Sequence, residues 1–304
     1  MKQAGIALIT VMLIVALTAS VAAFMAWQQN IWVRQAENMR DQAQAAAVAR
    51  AAVDWARVVL AEDARKNNVD HLGEPWATTL IPIAVEAGTV TGVVVDQQGL
   101  CNLNNLVRGG KASERDVAIF QRLLELLDLP PGLANAVVDW IDADQEARAP
   151  GGAEDADYLA LDQPYRAANQ LILDIGSLYR IKGFDKTLIE RLRPFITALP
   201  EPMPINVNTA PAEVLAALIQ DLALGTAKAL VSARKANHFA DQADFRARLT
   251  ASQANQVQGN EISVNSRYFL VTSRAEFGRS RVSYEALLSR TGQELPNIVW
   301  LKNK

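Results

Sequence analysis

The chain is poor in the residues that most often carry covalent or metal chemistry. Among 304 residues there is one cysteine, Cys101, so no disulfide can form within the chain. Cys101 reads as a small apolar residue of a strand. The two histidines, His71 and His238, stand far apart in sequence with no Cys or His companion at zinc spacing, and both read as surface residues. No Lys/Arg block occurs, and the net charge is −3. Composition therefore argues against nucleic acid or anionic lipid as a partner. No nucleophile–base pairing, Gly-rich phosphate loop or paired-carboxylate arrangement stands out, and the expectation is that the protein is not an enzyme.

Two further absences fall at the N-terminus. No Asp, Glu, Lys or Arg lies between Ile6 and Val33, and no Pro or Gly between Ile6 and Lys66. The uncharged stretch Ile6–Trp27 makes a helix of about 33 Å, enough to cross a hydrocarbon core of about 30 Å. A secretory signal would be shorter, although Ala19, Ser20, Ala22 and Ala23 offer a conceivable cleavage site. After Asn30 the helix continues in amphipathic form. Met39, Ala43, Ala46, Val53, Ala56 and Leu60 fall mostly at three- and four-residue spacings, which predicts one buried stripe. Trp27, Trp32, Trp55 and Trp140 read as membrane-edge anchors or core.

Beyond the helix, "GTVTGVVVDQQGLCNLNNL" predicts a strand, a Gln97-Gln98-Gly99 turn and a second strand. From Ser113, a plausible N-cap, the period becomes helical, with Val117, Phe120, Leu124 and Leu127 on one face. Short helices follow to Pro194, then a Pro-rich connector, "EPMPINVNTAP". Asn208 or Thr209 could cap the next helix, with Pro211 in its first turn. After Gly259 strands return, and Val282, Tyr284, Ala286 and Leu288 alternate in one of them. Helices inserted between strands predict an α+β plan: an antiparallel sheet packed on a stem helix, with an inserted all-α domain.

Two stretches are candidate sites. Between Asp139 and Asp162 lie eight acids and one arginine. Asp142, Asp144 and Glu146 have the spacing that opens a calcium loop, but Ala147 and Ala153 stand where an EF-hand needs Gly and Glu, and Glu154 is one place late. The residues alone leave a solvated acidic loop and a calcium site both open. The second stretch, Ile205–Phe245, reads as a helix-hairpin-helix unit with Val214, Leu215, Leu218, Ala227 and Leu230 in its core. Only Gly225 is present where DNA-binding hairpins use two glycines, and the cations Lys228, Arg234 and Lys235 are few. Packing is favoured over phosphate binding.

A short leader with Lys2, then Gly5, then an apolar helix running into an amphipathic one, resembles a type IV pilin N-terminus. With Thr10 where most pilins carry Glu as the fifth mature residue, the acidic loop, the helical insertion and "NVNTAP", the chain resembles the general secretion pathway protein K family. These are minor pseudopilins of type II secretion. The resemblance implies cleavage between Gly5 and Ile6 by prepilin peptidase and methylation of the new amine. It implies a single inner-membrane span, N-terminus cytoplasmic and head periplasmic, as Lys2 also suggests. It implies a structural role at the pseudopilus tip with minor pseudopilins I and J, where no subunit above would require the missing Glu. It also implies structural calcium on Asp142, Asp144 and Glu154, with Asp139, Asp155 and Asp157 next. The expected division is leader 1–5, membrane half of the stem 6–27 and periplasmic half 28–66. Pilin strands follow at 67–105, an inserted helical, SAM-like domain at 106–200, the helix-hairpin-helix-like unit at 201–256 and C-terminal pilin strands at 257–304. The alternative is a membrane-tethered helix-hairpin-helix DNA receptor of a competence-type system.

Overall fold

The computed structural model describes residues 3–78 and 80–304; Lys2 lies outside the described residues. Helix α1 runs unbroken over Gln3–Lys66, as a stretch free of Pro and Gly from Ile6 onward and rich in good helix formers should. From Ile6 to Asn30 it is exposed. Its second half lies on a five-stranded antiparallel sheet. The inward face is Ala45, Ala49, Val53, Ala56 and Leu60, all buried. Met39 and Ala43, expected in that stripe, are exposed. Alanine is as tolerable outside as inside, so the alanine-rich run does not reveal its own inward face, whereas Val53 and Leu60 do. Small residues at 45 and 49 let the sheet come close, against Ala275, Phe277 and Val282. Lower down, Val53, Ala56 and Leu60 meet Trp76, Phe269, Val271, Ala286 and Leu288. Leu60→Ala here would cost about 2–5 kcal/mol.

The sheet begins with β1 (Leu80–Val85) and β2 (Gly88–Asp96), an antiparallel pair. The expected strand after the Gln97–Gly99 turn does not pair back on β2. The chain instead makes the two-residue β3 (Cys101–Asn102), a 3-10 turn at Leu103–Leu106, and the small pair β4 (Val107–Arg108) and β5 (Lys111–Ala112). The physical reason is the asparagine run. Asn102 Oδ1 accepts from Leu199 N and Asn104 Nδ2 donates to the Ile172 and Leu199 carbonyls. These side chains satisfy loop backbone that a hairpin would have paired. Cys101 is buried in β3, and burial pushes its thiol up to about 12.

The helical insertion follows: α2 (Glu114–Leu126), α3 (Leu133–Ile141), α4 (Asp155–Leu159) and α5 (Lys186–Leu192). Strand β6 (Ile196–Thr197) pairs in parallel with β3. After β7 (Ile205–Asn206) come α6 (Ala212–Leu218) and α7 (Leu224–Ala236), the hairpin, then α8 (Gln242–Ala247) and α9 (Ala251–Gln256). Strand β8 (Ile262–Ser263) pairs with β7. One apolar cluster, from Cys101 to Ile262, runs through all of this, so residues 106–200 and 201–256 share a core. Ser113 is the N-cap of α2. Pro211 caps α6, rather than Asn208 or Thr209. Asn208 instead exchanges two hydrogen bonds with the Phe239 backbone.

The chain then returns to the sheet as β9 (Tyr268–Phe277), β10 (Ser280–Ser289) and β11 (Asn297–Asn303). Strand order is β1-β2-β9-β10-β11. Strand β9 pairs directly with β2, Asp96 opposite Phe269. The whole insertion thus leaves and re-enters between neighbouring strands, at the end of the sheet where α1 stops.

Candidate metal loop and family membership

The acidic loop joins α3 to α4. Asp142 closes α3, its N–H bonding the Val138 carbonyl at 2.9 Å, and Glu154 sits just before α4. The turn between them is tight. Gly152 N–H donates to the Arg148 carbonyl at 2.8 Å, and a Cβ at Gly152 would collide with the Asp139 carboxylate. Gly151 has φ +93° and packs on the Gly132 backbone, a conformation that costs other residues dearly. The two glycines therefore draw Glu154 back over Asp142, and the carboxylate oxygens of Asp142, Asp144 and Glu154 lie within 4.8 Å of one another.

The environment of these acids is unusual for a structural loop. Asp142 Oδ1, both Glu154 oxygens and Asp139 Oδ1 are buried without a hydrogen-bond partner. Burial, reinforced by Asp144 and Asp139, raises Asp142 to about 6. Burial and the same neighbours raise Glu154 to about 7. Asp139 is also raised by burial, although its Oδ2 accepts from Arg148 N at 3.0 Å. The one nearby guanidinium, Arg148, reaches out to Glu114 instead. Buried oxygens with no donor are costly, and a hard divalent cation is what such a set suits. The donor chemistry fits calcium on Asp142, Asp144 and Glu154, with Asp139 adjoining.

The remaining candidates point elsewhere. Asp157 accepts from Lys182 Nζ at 2.7 Å and from Glu154 N at 3.2 Å. Asp155 accepts from Ala167 N at 3.0 Å and lies near Arg166. Both belong to α4's own capping and surface pairing. Sequence spacing missed this, because Glu154 is the extended residue before α4 whereas Asp155 and Asp157 lie within its first turn, where their carboxylates turn to Ala167 and Lys182.

A second acid group escaped the sequence reading altogether. Asp63, Asp70 and Glu74 also bring carboxylate oxygens within 4.8 Å. Here Arg290 fills the position of a cation, bonding Asp63 at 3.1 Å and Asp70 at 2.5 Å. Glu74 accepts from Trp76 Nε1 at 2.8 Å and His71 N at 2.9 Å. Arg290 lies far along the chain, and no local pattern signals the meeting.

The helix-hairpin-helix reading is met by α6 and α7, with Val214, Leu215, Leu218, Ala227 and Leu230 buried. Of its cations Arg234 is buried, leaving no basic stripe for a phosphate backbone.

Comparison with known proteins agrees with this architecture. Two models described as "Type II secretion system (T2SS), protein K" match residues 99–201 and 205–265. Type II secretion system protein K of Pseudomonas aeruginosa is 37% identical over 300 residues, covering 95% of this chain and 89% of that protein. The Klebsiella pneumoniae protein is 32% identical, covering 96% and 94%. A solved structure, the GspK-GspI-GspJ complex from enterotoxigenic Escherichia coli, superposes with a TM-score of 0.74 at 25% identity, over 94% of this chain and 99% of that one. With a stem helix, a pilin-like antiparallel sheet and an inserted helical domain in one chain, the protein belongs to the type II secretion system protein K family, the structural minor pseudopilins of the secretion pseudopilus.

Proposed function

We propose that this chain is the tip subunit of the pseudopilus, which initiates or caps assembly together with minor pseudopilins I and J. The supporting observation is the place of the insertion. It springs from the end of the sheet where α1 stops, so the bulk of the head stands beyond the stem and obstructs a further subunit there. The solved relative in complex with its own I and J partners supports the choice of partners. Thr10 supports the position: its hydroxyl donates to the Ile6 carbonyl at 2.8 Å, so it needs no charged partner in a neighbouring subunit. The exposed apolar segment from Ile6 crosses the inner membrane once, N-terminus in the cytoplasm. Prepilin peptidase removes residues 1–5 after Gly5 and methylates Ile6. Calcium pins the α3–α4 loop through Asp142, Asp144 and Glu154 and performs no chemistry.

The deciding experiment is cross-linking in cells. Cysteines placed one at a time on the exposed positions of 39–60, away from the buried sheet-side residues, and paired with cysteines in the partner stems, in a Cys101→Ser background, should capture I and J and label one filament end. Cross-links along the whole filament, or better assembly with Thr10→Glu, would make it a shaft subunit. A carboxylate unpaired in the membrane is costly, so Thr10→Glu should not help. Intact mass should place the mature N-terminus at Ile6; a start near Ala23 would mean ordinary signal cleavage.

A further inference from the structure

His71 and His238 stack in this structure, ring centroids 3.9 Å apart and planes within 10°. They form one wall of a cavity of about 370 Å³, between the loop that follows α1 and the C-terminal turn of α7. Arg234 and Lys235 line it too, with Asn208 and Gly73.

The side chains here have donors to spare and little to accept them. Arg234 is 6% exposed. Its one hydrogen bond goes from Nη1 to the Val207 carbonyl at 2.6 Å. Among the described residues no carboxylate pairs with it, and burial alone lowers its guanidinium to about 10. Lys235 likewise has no ion-pair partner among the described residues. His71 Nδ1 accepts from Gly73 N at 3.1 Å, which places the neutral ring's proton on Nε2. No described group accepts from it. The Asn208 side chain exchanges one bond each way with the Phe239 backbone, leaving one amide N–H uncommitted. The carboxylates nearest the histidines are committed elsewhere. Glu74 is held by Trp76, Asn67 and the His71 backbone, Asp70 by Arg290, and Asp244 by Arg248.

The geometry points to a binding site for a small oxyanion, a carboxylate or phosphate, held by Arg234, Lys235 and the two histidines. A buried guanidinium without a counter-charge is costly, and a planar fork suits carboxylate or phosphate. The site lies at the far end of α7 from the hairpin turn, so it is not the phosphate contact of a DNA-binding hairpin. It also follows the end of α1, about 58 Å along the helix from Trp27, too far for a lipid headgroup. Stacked rings this close repel when both are protonated. Burial and the neighbouring His238 hold His71 below its ordinary value, against Glu74 and Asp70. A bound anion would offset that repulsion.

The test uses the two histidines, the chain's full complement, as reporters. Full-length protein in detergent, labelled at histidine nitrogen, is titrated with citrate and with inorganic phosphate at constant ionic strength set by sodium chloride. Both ring signals should move and saturate, and the His71 titration midpoint should rise. Lys235→Gln, a surface change that leaves the core intact, should weaken binding about tenfold, the equivalent of about 1.4 kcal/mol. Arg234→Lys should weaken it by more. Saturation with citrate alone or phosphate alone fixes the anion class. Shifts that grow linearly, that sodium chloride reproduces, or that Lys235→Gln and Arg234→Lys leave unchanged would overturn the assignment.

Discussion

Two groups of three carboxylates sit in this molecule, each with oxygens within 4.8 Å, and they solve the same electrostatic problem differently. At the junction of stem and head, Arg290 pairs with Asp63 and Asp70, and Glu74 is held by Trp76, Asn67 and the His71 backbone. The cation is built into the chain, and each acid has donors. In the α3–α4 loop, Asp142, Asp144 and Glu154 face one another, while the nearby guanidinium turns to Glu114 and buried oxygens stay unpartnered. Proximity of acids is therefore a poor guide to metal binding. The informative quantity is whether the protein has already supplied the positive charge.

The sharpest way to break the comparison is to remove the built-in cation. Arg290→Leu leaves Asp63 and Asp70 buried and unpaired, and should cost about 3–5 kcal/mol in denaturant unfolding of the full chain in detergent. Because the change leaves three buried carboxylates within 4.8 Å of one another without their cation, calcium should recover part of that loss. An unchanged midpoint would mean that the junction does not hold the head.

The second test supplies the missing cation. Calcium at one hundred times its Kd should add about 2.7 kcal/mol and raise the melting temperature. Asp142→Asn with Asp144→Asn should abolish that gain, while Asp155→Ala or Asp157→Ala should keep it. Since Asp142 and Glu154 titrate near 6 and 7 without metal, protons compete, and calcium should bind less tightly as pH falls through that range. A melt unmoved by EDTA would sink the metal reading.

A third, smaller effect concerns pH alone. Asp63 is raised to about 7, by burial first and then by Glu74 and Asp70. Asp96, fully buried among Ser266, Thr209 and Gln98, is raised by burial to about 6. Acids raised in the folded state bind more protons there than when unfolded. Their contribution is present below the ordinary carboxylate range and is lost as pH rises through 6 and 7. The metal-free chain should lose on the order of 2 kcal/mol across that window, and Asp96→Asn should flatten the curve. The least effect is expected at the surface: Lys182→Ala removes an exposed pair with Asp157 and should cost under about 1 kcal/mol, with the calcium response intact.

What the sequence disclosed follows from range. The unbroken α1 and the alternation of Val282, Ala286 and Leu288 toward the stem are local, and periodicity carries them. The meeting of Asp142 with Glu154 is implied by the family resemblance, since spacing alone leaves a solvated loop and a cation site both open. Arg290 meeting Asp63, and His71 stacking on His238, join distant segments and leave no local trace. The first strand, Leu80–Val85, was masked by Pro82 in its middle, which an edge strand tolerates. Helical spacing gave the inward face where Val and Leu mark it and lost it where every choice was alanine.

The re-entry of the insertion between β2 and β9 also bears on how the head folds. Asp96 and Ser266, hydrogen-bonded across that seam, are 170 residues apart in sequence. Closing so long an unstructured loop costs about 4–5 kcal/mol in chain entropy before any strand contact repays it. If the helices fold first on their own core, their two ends already lie side by side, and the seam closes like a short hairpin. The helical domain is then the clasp of the sheet: until it has formed, the β1–β2 pair and the β9–β10–β11 meander are separate pieces, and the stem has no continuous five-stranded sheet to pack against.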